Sequence, residues 1–203
     1  MERPARKRVR RTVEASRQLI LEAAERRLIA EGPHGVKVQI IARDLGLTDA
    51  AIHYHFGNRE GLLEALLRFS GRRFLDELAV AMDGQNPSSI DLGRAASLLS
   101  DLYERRGTAR LAMWLILSGW SPTGAGMLQP LALGVHKWRA DQASRLGLVP
   151  PKLEDSQKLV ALLSAVTFSQ ALSGDALLSS VGLPRLPSDD FLSWVTALVG
   201  QKS

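Results

Sequence analysis

Few side chains in this sequence could carry out covalent or metal chemistry. Its 203 residues include four histidines and no cysteine. Thiol nucleophiles, thiolate-held zinc, iron–sulfur clusters and disulfides are therefore excluded together. His53 and His55 stand two apart. On a helix such a pair points about 200° apart, so one metal ion does not easily take both, and no metal is expected. Gly119-Trp120-Ser121-Pro122-Thr123 lacks the closing glycine of a nucleophile elbow, and no strand precedes it. There is no phosphate-cradling glycine loop ending in Lys-Ser/Thr and no His-Glu-x-x-His helix. Neither an enzyme nor a cofactor is expected. What remains is a polar and aromatic cluster in Thr48–His55, with Lys37 and Gln39 before it and Arg59 behind.

The elements that must position this cluster read as helices. Apolar residues recur with helical spacing along the chain and no segment alternates as a strand would. Ile20, Ala24 and Leu28 make one stripe within Thr12–Glu31, and Gly32-Pro33-His34-Gly35 stops it. A short segment, Lys37–Leu45, carries Val38, Ile41 and Leu45 and ends at Gly46. Thr48 then suits an N-cap, and Asp49 follows where the helix dipole favours a negative charge. That third helix runs to about His55, Phe56-Gly57-Asn58 breaks it, and Asn58 can cap a long fourth helix from Arg59. Two short helices about a glycine-containing turn, leaning on an earlier helix, make the helix-turn-helix pattern. Its second helix can lie in the major groove of DNA. Ala42 and Gly46 supply small residues at the turn, and Ile41, Leu45, Leu47 and Ile52 can lock the pair. An ordinary bundle corner would show the same periodicity.

The pieces from Ile20-Leu21-Glu22-Ala23-Ala24, through Leu45-Gly46-Leu47-Thr48 and Ile52-His53-Tyr54-His55-Phe56-Gly57-Asn58-Arg59-Glu60, to Leu62-Leu63 resemble the TetR-type repressors in order and spacing. The resemblance implies roles for single residues. Thr48 would hold a phosphate while capping, and Ala50 and Ala51 would let the helix approach the bases. His53 stands where Tyr is usual and would touch the DNA backbone, while Tyr54 and His55 would face the groove or its edge. Arg59, usually Lys, would clamp a phosphate at the start of the fourth helix. Gln39, often Arg, could reach a base from the second helix, and Gln pairs bidentately with adenine. Three positions depart from the pattern. Lys37 replaces a capping Ser or Thr and could itself meet a phosphate. Asp49 serves the helix dipole or reads a cytosine amino group. For Ile40 we have no account.

Charge and the remaining helices complete the expectation. The chain carries a net charge of +5, and residues 1–11 alone supply that excess through Arg3, Arg6, Lys7, Arg8, Arg10 and Arg11 against Glu2. A basic arm of this kind suits a polyanion, or is a solvated tail. The organisation read from the sequence is all-α, with the arm at 1–11, a helix-turn-helix domain at 12–58 and a helical effector-binding and dimerisation domain at 59–203. Later helices are expected to Met82, from a Ser88 or Ser89 cap to Arg106-Gly107, over Thr108–Trp120, to about Leu146, from Lys152 to Ser180, and from Ser188 to Val199. Leu159–Gly174 is uncharged but holds polar residues and is shorter than the roughly 20 residues that span a bilayer, so no membrane partner is expected. Instead Leu162, Ala165, Val166 and Ser169, with Phe191, Trp194, Val195 and Leu198, could form a face for a second copy, or pack inside one subunit. The resemblance further implies a small apolar or aromatic effector. Candidate lining residues are Phe74, Tyr103, Met113 and Trp114, with Leu117, Trp120, His136 and Trp138. The expected function is a cytoplasmic homodimeric regulator, a repressor on a palindromic operator, released by that effector. A helical ligand carrier that does not read DNA and an all-helical enzyme are the alternatives.

Overall fold

Thr12 starts the first helix by accepting a hydrogen bond from the Ala15 amide at 3.1 Å. The computed structural model describes residues 12–82, 90–121, 126–184 and 188–200. The basic arm and the Ser88 or Ser89 cap lie outside them. Among the described residues there are nine α-helices, one 3₁₀ turn and one π turn, with no strand. The chain divides into two compact units at Leu66/Leu67, inside the fourth helix.

In the first unit, α1 (Val13–Glu31) buries Ile20, Leu21, Ala23, Ala24 and Leu28 along one face. A 3₁₀ turn at Pro33–Gly35 leads to α2 (Val38–Leu45), which buries Val38, Ile41 and Ala42. Lys37 sits at the N-cap of α2 without a side-chain cap, since an ammonium offers no acceptor. Gly46 ends α2 in the left-handed region at φ 64° and ψ 33°, where a Cβ would be strained. That turn lets the Leu47 amide close back onto the Ala42 carbonyl at 2.8 Å, satisfying one of the helix's last acceptors. Thr48 then caps α3 (Asp49–Phe56) through the Ala51 amide at 3.2 Å. Arg27 of α1 reaches Asp44 of α2 at 2.5 Å and Glu31 at 2.7 Å. The hydrogen bond from Arg27 holds the Asp44 carboxyl below the usual carboxylate range. The cap of α4 (Arg59–Met82) is Asn58, which accepts from the Gly61 amide at 2.7 Å.

The second unit contains α5 (Leu92–Ser100), α6 (Thr108–Leu117), α7 (Gln129–Arg145), α8 (Leu153–Ser180) and α9 (Ser188–Gly200). Asp91 caps α5 by accepting from the Arg94 amide at 2.7 Å, where a serine cap was expected. The helix expected to reach Arg106-Gly107 instead widens into a π turn at Asp101–Arg105. Arg106 secures that turn, with Nε on Asp101 at 2.9 Å and a terminal nitrogen on Glu77 of α4 at 2.5 Å. The core joins Phe74 and Leu78 of α4 to Leu99 of α5, Leu131 and Val135 of α7, and Leu159, Val160 and Leu163 of α8. By length and composition α8 could cross a bilayer. Here it packs on α5, α6, α7, α9 and the π turn as the unit's central rod. It breaks at Ser173 (φ −153°, ψ 26°), ahead of Gly174, as helices do at Ser/Gly pairs.

Gly61 lies where the α3–α4 corner is tightest, and a Cβ there would run into the Phe56 carbonyl. Backbone cannot yield as a side-chain tip does. Gly61→Ala is expected to cost about 1–3 kcal/mol, read as a lowered urea midpoint. An unchanged midpoint would show that this corner is not close-packed.

Candidate functional site

α3 has eight residues and buries only Ile52, at 1% exposure. The rest of its surface faces outward or sits partly covered. Ala50, His53 and Tyr54 are exposed, Tyr54 to 78%, and so is the capping Thr48. Asp49, Ala51 and His55 are half-buried, while Lys37 and Gln39 at the start of α2 are exposed. Both ends of the helix are tied down. Thr48 caps the first turn, and the Gly57 amide donates to the His53 carbonyl at 2.7 Å. Arg17 of α1 donates to the His55 carbonyl at 2.7 Å, and its guanidinium lies 4.4 Å over the Phe56 ring. That stacking is a cation–π contact. The His53 Nδ1–H donates to the Gly57 carbonyl at 2.9 Å, which leaves Nε2 outward. The Tyr54 and His55 rings meet edge to face, their centroids 5.3 Å apart. The product is a short, pinned helix whose outer side offers a phenol, an imidazole and two small alanines. Such a surface can enter a groove and hydrogen-bond its edges and backbone.

Arg59 is placed differently from a free clamp. Its Nε donates to the Val36 carbonyl at 2.9 Å, and a terminal nitrogen donates to the Pro33 carbonyl at 2.6 Å. The guanidinium fork thus braces the turn before α2 from the start of α4. A lysine could not reproduce that two-point grip. The sequence reading missed Arg17, whose partners lie 38 residues away in the chain and leave no local signal.

The second unit holds a cleft of about 520 Å³ between α4, the π turn, α6 and α8. Tyr103 and Trp120, both expected, line it. Phe74 is instead sealed in the core at 2% exposure, and Leu117 is 80% exposed on the opposite side of α6 from the core. Met113, Trp114, His136 and Trp138 are half-buried and not among the lining residues. His136 bonds Ser156 at 3.3 Å, and Trp138 packs on the core. The wall residues that the sequence reading missed come from Leu67, Arg68, Gly71, Arg72 and Leu75 of α4, with Ile116, Met127 and Phe168. Tyr103 shares a hydrogen bond with Ser164 of α8 at 2.8 Å, and its ring meets Phe168 edge-on. Burial pushes the Tyr103 phenol above its ordinary value of 10.0, so it stays neutral at physiological pH.

On α8 and α9, Leu162, Trp194 and Leu198 are 50%, 60% and 44% exposed, with Ala165 exposed beside them. Val166, Ser169 and Phe191 are half-buried, and Phe191 stacks on Trp194. Val195 points the other way, into the subunit's own core. Leu177, half-exposed on α8, adds to the outward apolar residues.

Residues 20–66, which include α2, α3 and most of α1, match the model of the tetR family of bacterial regulatory proteins. That stretch is similar to the DNA-binding module of the tetR family. The matched residues are those of a regulatory protein's N-terminal module, and they hold the helix pair described above. The chain's fold is shared by solved structures over nearly the full length. A fatty acid degradation regulator from Bacillus halodurans is 16% identical, with 97% of this chain and 96% of that one covered and a TM-score of 0.55. A candidate transcriptional regulator from Saccharomonospora viridis, in complex with choline, is 20% identical over 91% and 94%, with a TM-score of 0.56. A candidate regulator from Streptomyces coelicolor is 20% identical over 92% and 97%, with a TM-score of 0.54. Comparison with curated proteins gives no match.

The two outer positions of this TetR-like module should separate in experiment. Tyr54→Ala removes an exposed ring and is expected to leave unfolding within about 0.5 kcal/mol of the parent while weakening DNA binding. Arg59→Ala strips two carbonyls of a charged donor and should cost about 1–3 kcal/mol of stability, with Arg59→Lys failing to restore it. Paired urea titrations and DNA titrations test this, and a fully stable Arg59→Ala would remove the bracing role.

Proposed function

We propose that this TetR-like chain acts in the cytoplasm as a homodimer that represses transcription from a near-palindromic operator and is released by a small effector. The observation that carries the proposal is α3, a helix with one buried residue whose ends are fixed by Thr48, Arg17 and Gly57. A helix held rigid while its outer face stays open is suited to a groove. Two copies would present two such helices, and reading one face of a duplex requires them about 34–36 Å apart. The outward Leu162, Trp194 and Leu198 support the twofold partner, because an apolar patch rimmed by polar residues marks an association surface. The cleft beside Tyr103 and Phe168 supports the effector, and the Saccharomonospora relative was solved with a small molecule. An effector that binds better to one spacing of the two reading helices lowers DNA affinity by linkage alone.

Mobility shift against the chain's own upstream DNA at two salt concentrations tests the reading role. Specific retention with a steep salt slope is expected, since each phosphate contact releases counterions. Gln39→Ala should relax preference at one base pair, at a cost of about 1–3 kcal/mol. Retention no better than for bulk competitor DNA would defeat the proposal. For the dimer, Leu162→Arg is expected to give a monomer in sedimentation and to lose operator affinity at least tenfold. A dimer that survives this change would move the interface away from α8.

A further inference from the structure

Resting on the cleft as the effector site, we propose that the effector is an amphipathic monocarboxylate, its apolar body seated in the cleft and its carboxylate held by Arg68 and Arg72. The lining sorts into two chemistries. Leu75, Leu102, Ala112 and Phe168 make apolar walls, and Ile116, 43% exposed, adds to them. The charged residues of the lining are Arg68 and Arg72, both exposed and both on α4, and no aspartate or glutamate is among the lining residues. Arg68 and Arg72 are four residues apart, so both leave the same face of α4, one turn from each other, and both line the cleft.

That division selects for charge as well as shape. A planar guanidinium donates two parallel hydrogen bonds to a carboxylate, and a pair of them exceeds what a hydroxyl or amide can offer. A cationic ligand of the same body would meet two like charges beside an apolar wall, which penalises it. Exposure matters here as well. Both arginines are exposed, so a carboxylate can meet them without being buried at the apolar end. Tyr103 also lines the cleft, its hydroxyl sharing a hydrogen bond with Ser164 and its ring against Phe168. It gives a ligand body one polar contact without a charge. The volume, about 520 Å³, falls in the range that encloses small organic ligands, roughly 300–1,000 Å³.

The test uses the full chain and three matched probes, octanoate, 1-octanol and octylamine, with 4-phenylbutyrate as a ring-bodied acid. Binding is followed by calorimetry and by the emission of Trp120, which lines the cleft. Both acids are expected to bind at least tenfold tighter than the alcohol, with the amine weakest. Arg72→Gln and Arg68→Gln, each confirmed as folded by its thermal midpoint, should each reduce octanoate affinity about tenfold and leave the alcohol unchanged. Equal affinity for acid and alcohol, preference for the amine, an acid preference that survives both substitutions, or no binding by any probe overturns the proposal. The same probes are then added to the protein–DNA complex. Arginine-dependent acid binding that leaves DNA bound keeps the ligand chemistry and defeats release by effector. Release by the alcohol or amine, but not by the acids, keeps effector control and defeats the carboxylate.

Discussion

An isolated helix shorter than about 12–15 residues is marginal in water, and α3, the helix proposed to read DNA, has eight with one buried side chain. The exposed face of α3 keeps its shape only if that deficit is overcome from outside the helix. Hydrophobic burial supplies little, because Ile52 is its one fully buried side chain, with Ala51 and Phe56 only partly covered. The remainder comes from polar closure: Thr48 at one end, and at the other the Arg17 guanidinium on the His55 carbonyl and the Phe56 ring. Arg59 does the same for the turn ahead of α2, and Arg27 for its end. Arginine recurs because one planar group bonds a carbonyl or carboxylate and covers apolar surface as well.

The second unit solves a different problem, keeping a wall open beside a packed core. A π turn at Asp101–Arg105 widens the helix after α5 and carries Leu102 and Tyr103 to the cleft. Such turns are unfavourable on their own and recur at functional sites. Here Arg106 bonds Asp101 and Glu77, and the Tyr103 hydroxyl meets Ser164, so the widened turn is pinned on both sides.

What could be read from the sequence was what is local. The stripe of Ile20, Ala24 and Leu28, the Gly46 turn, and the Thr48 and Asn58 caps depend on residues within one or two turns of each other, and each stands where its spacing put it. The α5 cap fell on Asp91 because several capping residue types crowd that stretch, and spacing does not rank them. Arg59 carries a positive charge at a helix start, which suggests a phosphate. Its partners at Pro33 and Val36 depend on a chain reversal that no periodicity encodes. The cleft was half legible for the same reason. Aromatics in the middle helices were the visible signal, and they led to Tyr103 and Trp120 but also to Phe74, which the core absorbed. The α4 residues Arg68, Gly71 and Arg72 look like an ordinary solvated helix face until α6 and α8 are placed against them. Val195 and Trp194 differ by one position, yet one is buried in the core and the other is 60% exposed, so a one-residue uncertainty in helix phase decides core against surface.

Gly71 gives the cleft one more property. Bare backbone faces the Met127 thioether there, so closely that a Cβ would come within 3.1 Å of the sulfur. The opposing surface is thus an unbranched chain with three rotatable bonds, which refits at little cost. The bore at that point is therefore set by an adjustable plug instead of fixed framework. For the proposed ligand, a few methylenes more or less would be received by the same fold, and discrimination would shift from girth to the polar end.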